Sequence, residues 1–159
     1  MKTLFKISVF ILFLMQLTIA SAQNAVALKP EKNIPQVILE AFAKKFPSQD
    51  PVWFRQYEGS ENQKLRFEAK FIFDNRYSSA IYENEGALIA FAAKIENKEI
   101  PQKALQYMNE NLPNYPISEA LLVTRGGNDI TYEIGIYINN QYIIEVFDKE
   151  GNYIKRTKS

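Results

Sequence analysis

The chain of 159 residues contains no histidine and no cysteine. Without histidine there is no Ser-His-Asp triad and no imidazole general base. Without cysteine there is no thiol nucleophile, disulfide, iron–sulfur cluster or thiolate zinc site. Zinc and copper sites rest on imidazole or thiolate, so neither metal is expected. Glycine is scarce, at 6 residues, and the pair Gly126-Gly127 is not followed by Gly-Lys-Ser/Thr, which excludes a phosphate loop. No charge excess exists either, with 19 basic against 18 acidic side chains. What remains is carboxylate, hydroxyl, lysine or tyrosine chemistry, or no chemistry.

The first segment supplies an address. Lys2 and Lys6 precede an apolar run of 13 residues, Ile7 to Ile19, and Ala20-Ser21-Ala22 is a small-residue cleavage site. This is the pattern of a secretory signal peptide over residues 1–22, cut after Ala22. The run falls short of the ~20 apolar residues that a membrane span needs. The expected mature chain is periplasmic or secreted, with no membrane span after cleavage. It keeps 17 basic and 18 acidic side chains over 137 residues. A near-neutral surface argues against a nucleic-acid partner. A domain of this size buries roughly two-thirds of its unfolded surface, so it can fold without disulfides.

The mature sequence reads as one unit used twice. Ile34-Pro35-Gln36 and Ile100-Pro101-Gln102 lie 66 residues apart, as do Phe46-Pro47 and Leu112-Pro113. Between these marks, Ile38, Ala41, Phe42 and Phe46, and then Ala104, Leu105, Met108 and Leu112, recur at helical spacing. Pro35 and Pro101 suit a helix start, whereas Pro47 and Pro113 stop one. Further on the offset is 65. Asp74-Asn75-Arg76 matches Asn139-Asn140-Gln141, and Glu83-Asn84-Glu85-Gly86 matches Asp148-Lys149-Glu150-Gly151. Repetition at a fixed period is a strong architectural signal.

After each helix the period changes to 2. Leu65, Phe67, Ala69, Phe71 and Phe73 form one apolar face, and Ile130, Tyr132, Ile134, Ile136 and Ile138 form the other. Strands are also predicted at Val52–Glu58, Tyr77–Glu83, Leu88–Ala93, Ser118–Arg125, Gln141–Phe147 and Tyr153–Thr157. Polar, glycine-bearing loops are expected at Gly59-Ser60-Glu61-Asn62 and at Gly126-Gly127-Asn128-Asp129. The division is a signal peptide (1–22), a lead-in (23–33), repeat 1 (34–93), a junction (94–99) and repeat 2 (100–159), both repeats in one domain.

The ordered set Ile34-Pro35, Ala41-Phe42, Lys44-Lys45-Phe46-Pro47, Trp53 and Asp148-Lys149-Glu150-Gly151-Asn152, together with the repeat, resembles a family. It is the PepSY-like, beta-lactamase-inhibitor-like proteins exported by Bacteroidetes-type bacteria. The resemblance spans roughly residues 34–157. It implies an α+β fold in which two helix-plus-four-strand antiparallel repeats form a continuous curved sheet with the helices on one side. It implies no catalytic residues. PepSY domains are linked with protease propeptides and inhibition, and the beta-lactamase inhibitor protein binds an enzyme on its concave sheet; a shared fold does not carry the target across. This chain departs from the pattern at Glu83-Asn84-Glu85-Gly86-Ala87, at Ser78-Ser79-Ala80, and where Glu119 stands near the position of Trp53 in the second copy.

Candidate chemistry is thin. Glu68 and Glu133 hold equivalent positions, and a carboxylate pair about 5–9 Å apart could act as acid and base; duplication alone also explains them. Asp148 to Asn152 lacks a full calcium loop and reads as a hairpin turn. Lys44-Lys45 reads as a solvated helix face. The aromatics say more. Trp53, Tyr57, Tyr82, Tyr137 and Phe147 are expected on the second face of the sheet, where tyrosine and tryptophan would form a protein-binding surface. The expected function is therefore an exported, non-enzymatic module with no cofactor, binding a protein in the periplasm or outside the cell. The alternative is a carrier of a small apolar ligand, which would need a deep pocket between sheet and helices.

Overall fold

The computed structural model describes residues 29–58, 64–126 and 129–158. The signal peptide, the lead-in up to residue 28, the loop at 59–63 and the hairpin tip Gly127-Asn128 lie outside the described residues.

Helix α1 (Gln36–Lys45) leads into four strands: β1 (Val52–Glu58), β2 (Lys64–Phe73), β3 (Arg76–Glu83) and β4 (Leu88–Lys94). A short 3₁₀ turn at Asn97–Glu99 precedes helix α2 (Gln102–Asn111). Four more strands follow: β5 (Glu119–Arg125), β6 (Asp129–Ile138), β7 (Gln141–Asp148) and β8 (Tyr153–Lys158). All eight pair antiparallel in chain order, as one sheet. The predicted elements stand within a residue or two of these bounds.

The local causes are those expected from sequence. Pro35 and Pro101 cap the two helices with nearly identical backbone angles, φ −54° for both and ψ 137° and 139°. The hairpin turns at Asp74-Asn75 and Asn139-Asn140 place both central residues at positive φ, between 48° and 63°. That is the hairpin geometry which matches strand twist, and it favours asparagine and aspartate. Gly86 (φ 87°) and Gly151 (φ 83°) turn the last hairpin of each half against a helix start. A β-carbon would lie 2.9 Å from Val37 Cγ2 at Gly86 and 2.7 Å from Pro101 Cβ at Gly151.

Both helices cover the same side of the sheet. The cross-strand row Phe71–Ser78–Ala93–Leu122–Tyr132–Phe147 passes unbroken through six strands. It begins in the cluster under α1 and ends in the cluster under α2. The first cluster is aromatic. Phe42 lies 5.0 Å from Phe71, 5.3 Å from Trp53 and 5.3 Å from Phe46, measured between ring centroids. The neighbouring pair Ala69 and Ala80 keeps the sheet low beneath these rings. The second cluster is mostly aliphatic, with Ile134, Ile136 and Ala104 fully buried. Burying each large side chain stabilises the fold by roughly 1.5–3 kcal/mol.

The junction is tied to the first half. The Arg76 guanidinium donates to both oxygens of Glu99, at 2.9 and 3.2 Å, and Glu99 also accepts from the Glu96 amide at 2.9 Å. These donors hold the Glu99 carboxyl below the usual carboxylate range, the Glu96 amide contributing most.

Candidate functional site

Among the described residues, no helix lies over the opposite face of the sheet. Its residues are the other half of each strand's alternation: Val52, Phe54 and Gln56 on β1, Arg66, Glu68, Lys70 and Ile72 on β2, Tyr77, Ser79 and Ile81 on β3. Across β4 and β5 it continues through Ala90, Ala92, Lys94, Leu121, Val123 and Arg125.

Between β1 and β5 this face holds an open trough of about 630 Å³. Ser79 and Ala92 are cross-strand neighbours near its middle, and their small side chains leave the floor low. Larger residues rise around them: Phe54, Ile72, Tyr77 and Leu121, with Lys70 and Lys94. Tyr77 is 72% exposed and Ile72 48% exposed. The Lys70 ammonium lies 5.0 Å from the centroid of the Phe54 ring and 3.5 Å from Glu68. Glu68 itself is buried and accepts from Gln56 Nε2 at 2.6 Å.

Sixty-five residues further on, the same positions are filled differently. Gly135 stands in place of Lys70, Ile144 in place of Ser79 and Thr157 in place of Ala92. Tyr142, in place of Tyr77, therefore lies down over Gly135; a β-carbon there would strike its ring. Its hydroxyl donates to Glu119 at 3.3 Å. Burial, then the Glu119 charge, pushes the Tyr142 phenol up to about 12. Tyr77 cannot lie down in this way, because Lys70 occupies the space that Gly135 leaves empty. One half of the face is self-covered and the other is open.

The five aromatics expected on this face do not share it. Trp53, Tyr82 and Phe147 are buried, at 8%, 0% and 0% exposure, in the two clusters under the helices. Register explains the correction: Trp53 pairs with Ala69, Tyr82 with Phe67 and Phe147 with Tyr132, all on the helix side. Tyr57 pairs with Leu65, so it also has helix-side parity, exposed at the edge strand's end. Tyr137 alone lies on the open face, exposed, with its ring 5.1 Å from that of Tyr142. The residues missed, Phe54, Ile72, Tyr77 and Leu121, had a signal. Ile72 and Tyr77 hold the positions of Tyr137 and Tyr142 one offset earlier.

The candidate carboxylate pair is not a pair. Glu68 is on β2 and Glu133 on β6, four strand spacings apart, or about 19 Å at ~4.8 Å per strand. They do not occupy neighbouring strands, and Glu133 is engaged by Arg125 at 2.6 Å. The Asp148 carboxylate is spent on its own turn. Its oxygens accept from the Asn152 amide (2.8 Å), the Glu150 amide (3.0 Å) and Asn152 Nδ2 (2.9 Å). These bonds, those of Asn152 foremost, hold it below the usual range. Among the described residues, no group of three or more acidic side chains could hold a metal.

One buried charge lies on the helix side. Glu145, 0% exposed, pairs across strands with Ile134 and Arg156. Its Oε1 accepts from Arg156 Nε at 2.6 Å and is ion-paired with the same guanidinium; its Oε2 has no hydrogen-bond partner among the described residues. Tyr153 stacks on Tyr107 beside it, with centroids 4.6 Å apart and planes 8° apart. Sixty-five residues earlier stand Ala80 and Phe91, both apolar.

No family model matches the chain, and no curated protein sequence matches it. Solved structures do share its fold. A Bacteroides eggerthii protein assigned to the periplasm aligns with TM-score 0.67 at 11% identity, over 80% of this chain and 90% of its own. A BLIP-like protein of Bacteroides fragilis aligns with TM-score 0.61 at 11% identity, over 80% and 88%. A DUF2874 family protein of Bacteroides uniformis aligns with TM-score 0.65 at 12% identity, over 79% and 90%. These neighbours match the family type that the sequence resembles. At such identities the likeness speaks for the fold. Among the described residues, no helix is long and apolar enough to cross a membrane.

Proposed function

We propose that this BLIP-like fold is an exported, non-enzymatic binding module that grips another protein with the open face of its sheet. The mature chain starts after Ala22 and works in the periplasm or outside the cell, and its two halves are copies of one helix-plus-four-strand unit. The observation that carries the reading is the trough between β1 and β5, where Tyr77 (72% exposed) and Ile72 (48% exposed) rise beside a low floor. A large exposed tyrosine among apolar side chains, over a shallow floor of small residues, is the kind of surface on which protein hot spots form. The BLIP-like and periplasmic neighbours are in keeping with the fold and the address.

The apolar-carrier alternative is less favoured. Below α1 the space between helix and sheet is filled by packed rings, Phe46 lying 4.8 Å from Phe71 and 5.4 Å from Phe91. The trough is open along one side, which suits a protein surface better than an enclosed small molecule.

The test is affinity capture from the native cell envelope with the mature chain. Tyr77→Ala, whose side chain is largely exposed, is expected to lose the captured partner at unchanged melting temperature, and Phe54→Ala is expected to lose it as well. Tyr57→Ala, on the other face, is expected to keep it. Retention by both trough variants overturns the assignment of the surface.

A further inference from the structure

We infer that the free edge of β8 is a second docking site, which accepts an extended acidic segment of another protein as a ninth strand. It is independent of the trough, because it uses main-chain groups at the far side of the sheet. Among the described residues, strand β8 pairs only with β7, from Phe147↔Tyr153 to Ile143↔Lys158. Among the described residues, no backbone group bonds to its outer edge. The other edge of the sheet differs. On β1, the Trp53 carbonyl accepts from the Glu31 amide at 2.7 Å, and Arg55 pairs with Glu31 at 2.9 Å, so the lead-in partly covers it.

Charge decides what can pair with β8. The strand carries Lys155, Arg156 and Lys158 in six residues. Arg156 is committed to Glu145, whereas Lys155 and Lys158 have no ion-pair partner among the described residues. They project to opposite faces, so an added strand meets one cation on each side. Acidic residues opposite them stabilise the pairing, and basic residues oppose it. The same lysines set a second copy's β8 against this one, which selects against self-pairing. Tyr153 (41% exposed) and Ile154 (50% exposed) add apolar surface at the start of the strand. The edge is also held in place beforehand by the Glu145–Arg156 pair and the Tyr107–Tyr153 stack, so little ordering is needed on binding. An exposed edge with fixed geometry and complementary charge is the arrangement used for strand addition.

The experiment uses the mature chain and three synthetic ten-residue peptides. One is a valine–threonine peptide with two glutamates three residues apart, which fall on opposite faces, one carries lysines at those two positions, and one is the glutamate peptide with two central prolines. Binding is read by fluorescence anisotropy and located by amide hydrogen exchange. The glutamate peptide is expected to bind, slow exchange within residues 153–158, and weaken as salt rises. The proline peptide is expected not to bind, because it cannot donate to the ladder. The charge-swapped variant Lys155→Glu with Lys158→Glu should bind the glutamate peptide about tenfold more weakly and prefer the lysine peptide. The proposal is overturned by absence of binding, by equal binding of the proline peptide, by an unchanged preference in the swapped variant, or by protection elsewhere on the sheet. A dimer joined through β8 in sedimentation would overturn the choice of occupant.

Discussion

Replacing Arg156 tests how the edge strand is held. Arg156→Ala leaves the Glu145 carboxylate, 0% exposed, with neither oxygen bonded to a protein donor. Removing one member of a buried ion pair typically costs about 3–5 kcal/mol. Here the Arg156 side chain is 44% exposed, so water screens the pair and the lower figure of about 2–3 kcal/mol applies. For a domain of this size that is a melting shift on the order of 10 °C. The first half suggests the repair. Its equivalent positions hold Ala80, fully buried, and Phe91, partly buried in the aromatic cluster. The double variant Glu145→Ala with Arg156→Phe removes both charges, and well-packed apolar replacements of buried pairs are often neutral or stabilising. It is expected within about 1 kcal/mol of the parent. Urea unfolding of the parent, the single and the double variants gives the three free energies, with equal m-values as the check on comparability. The reasoning is refuted if Arg156→Ala loses less than about 0.5 kcal/mol, or if the double variant is no more stable than the single.

Other outcomes follow from the same structure. The Tyr82 hydroxyl is buried with no hydrogen-bond partner among the described residues, and Phe147 stands 65 residues further on, so Tyr82→Phe should stabilise the fold by about 1 kcal/mol in urea unfolding. Burial pushes the phenols of Tyr82 and Tyr142 up to about 12. The folded state therefore holds protons that the unfolded state, near 10, has released. Their contribution to stability is full below pH ~10 and is lost as pH rises through ~12, a slope that Tyr82→Phe should flatten. Gly135→Ala should lift the Tyr142 ring off the sheet and break its bond to Glu119. Its phenol would then titrate closer to ~10 in an ultraviolet difference titration against Tyr142→Phe. An unmoved titration would mean that the ring does not depend on the gap.

Strand and helix positions were legible because their causes are local. The Ile-Pro-Gln starts, the Phe-Pro and Leu-Pro stops, the Asn-bearing turns and the alternation of Leu65 to Phe73 each act over a few residues. Face assignment was harder, because it depends on what lies across the strand. In β7 the run Tyr142-Ile143-Ile144-Glu145-Val146-Phe147 is apolar on both faces, and its one charge points inward. The expectation for Phe147 follows from Tyr82, which stands 65 residues earlier, so misplacing one misplaces the other. In β3, Ser78 and Ala80 look like a weak outer face. Both point inward, Ala80 beneath the aromatic rings of α1, and Tyr82 follows them inward. The trough was hidden for a related reason. It is made as much by the absence of side chains at Ser79 and Ala92 as by the presence of Tyr77, and no motif marks an absence.

The most direct measurement of whether the open face is the working surface is site-specific photo-crosslinking in the native envelope. A benzophenone side chain is placed in turn at Phe54 and Tyr77 in the trough, at Tyr137 on the self-covered half, and at Val37 and Lys44 on the solvent side of α1. Crosslinks to one partner protein from Phe54 and Tyr77, with few or none from Val37 and Lys44, are the expected result. Equal yields from the helix positions, or crosslinks confined to them, would contradict it.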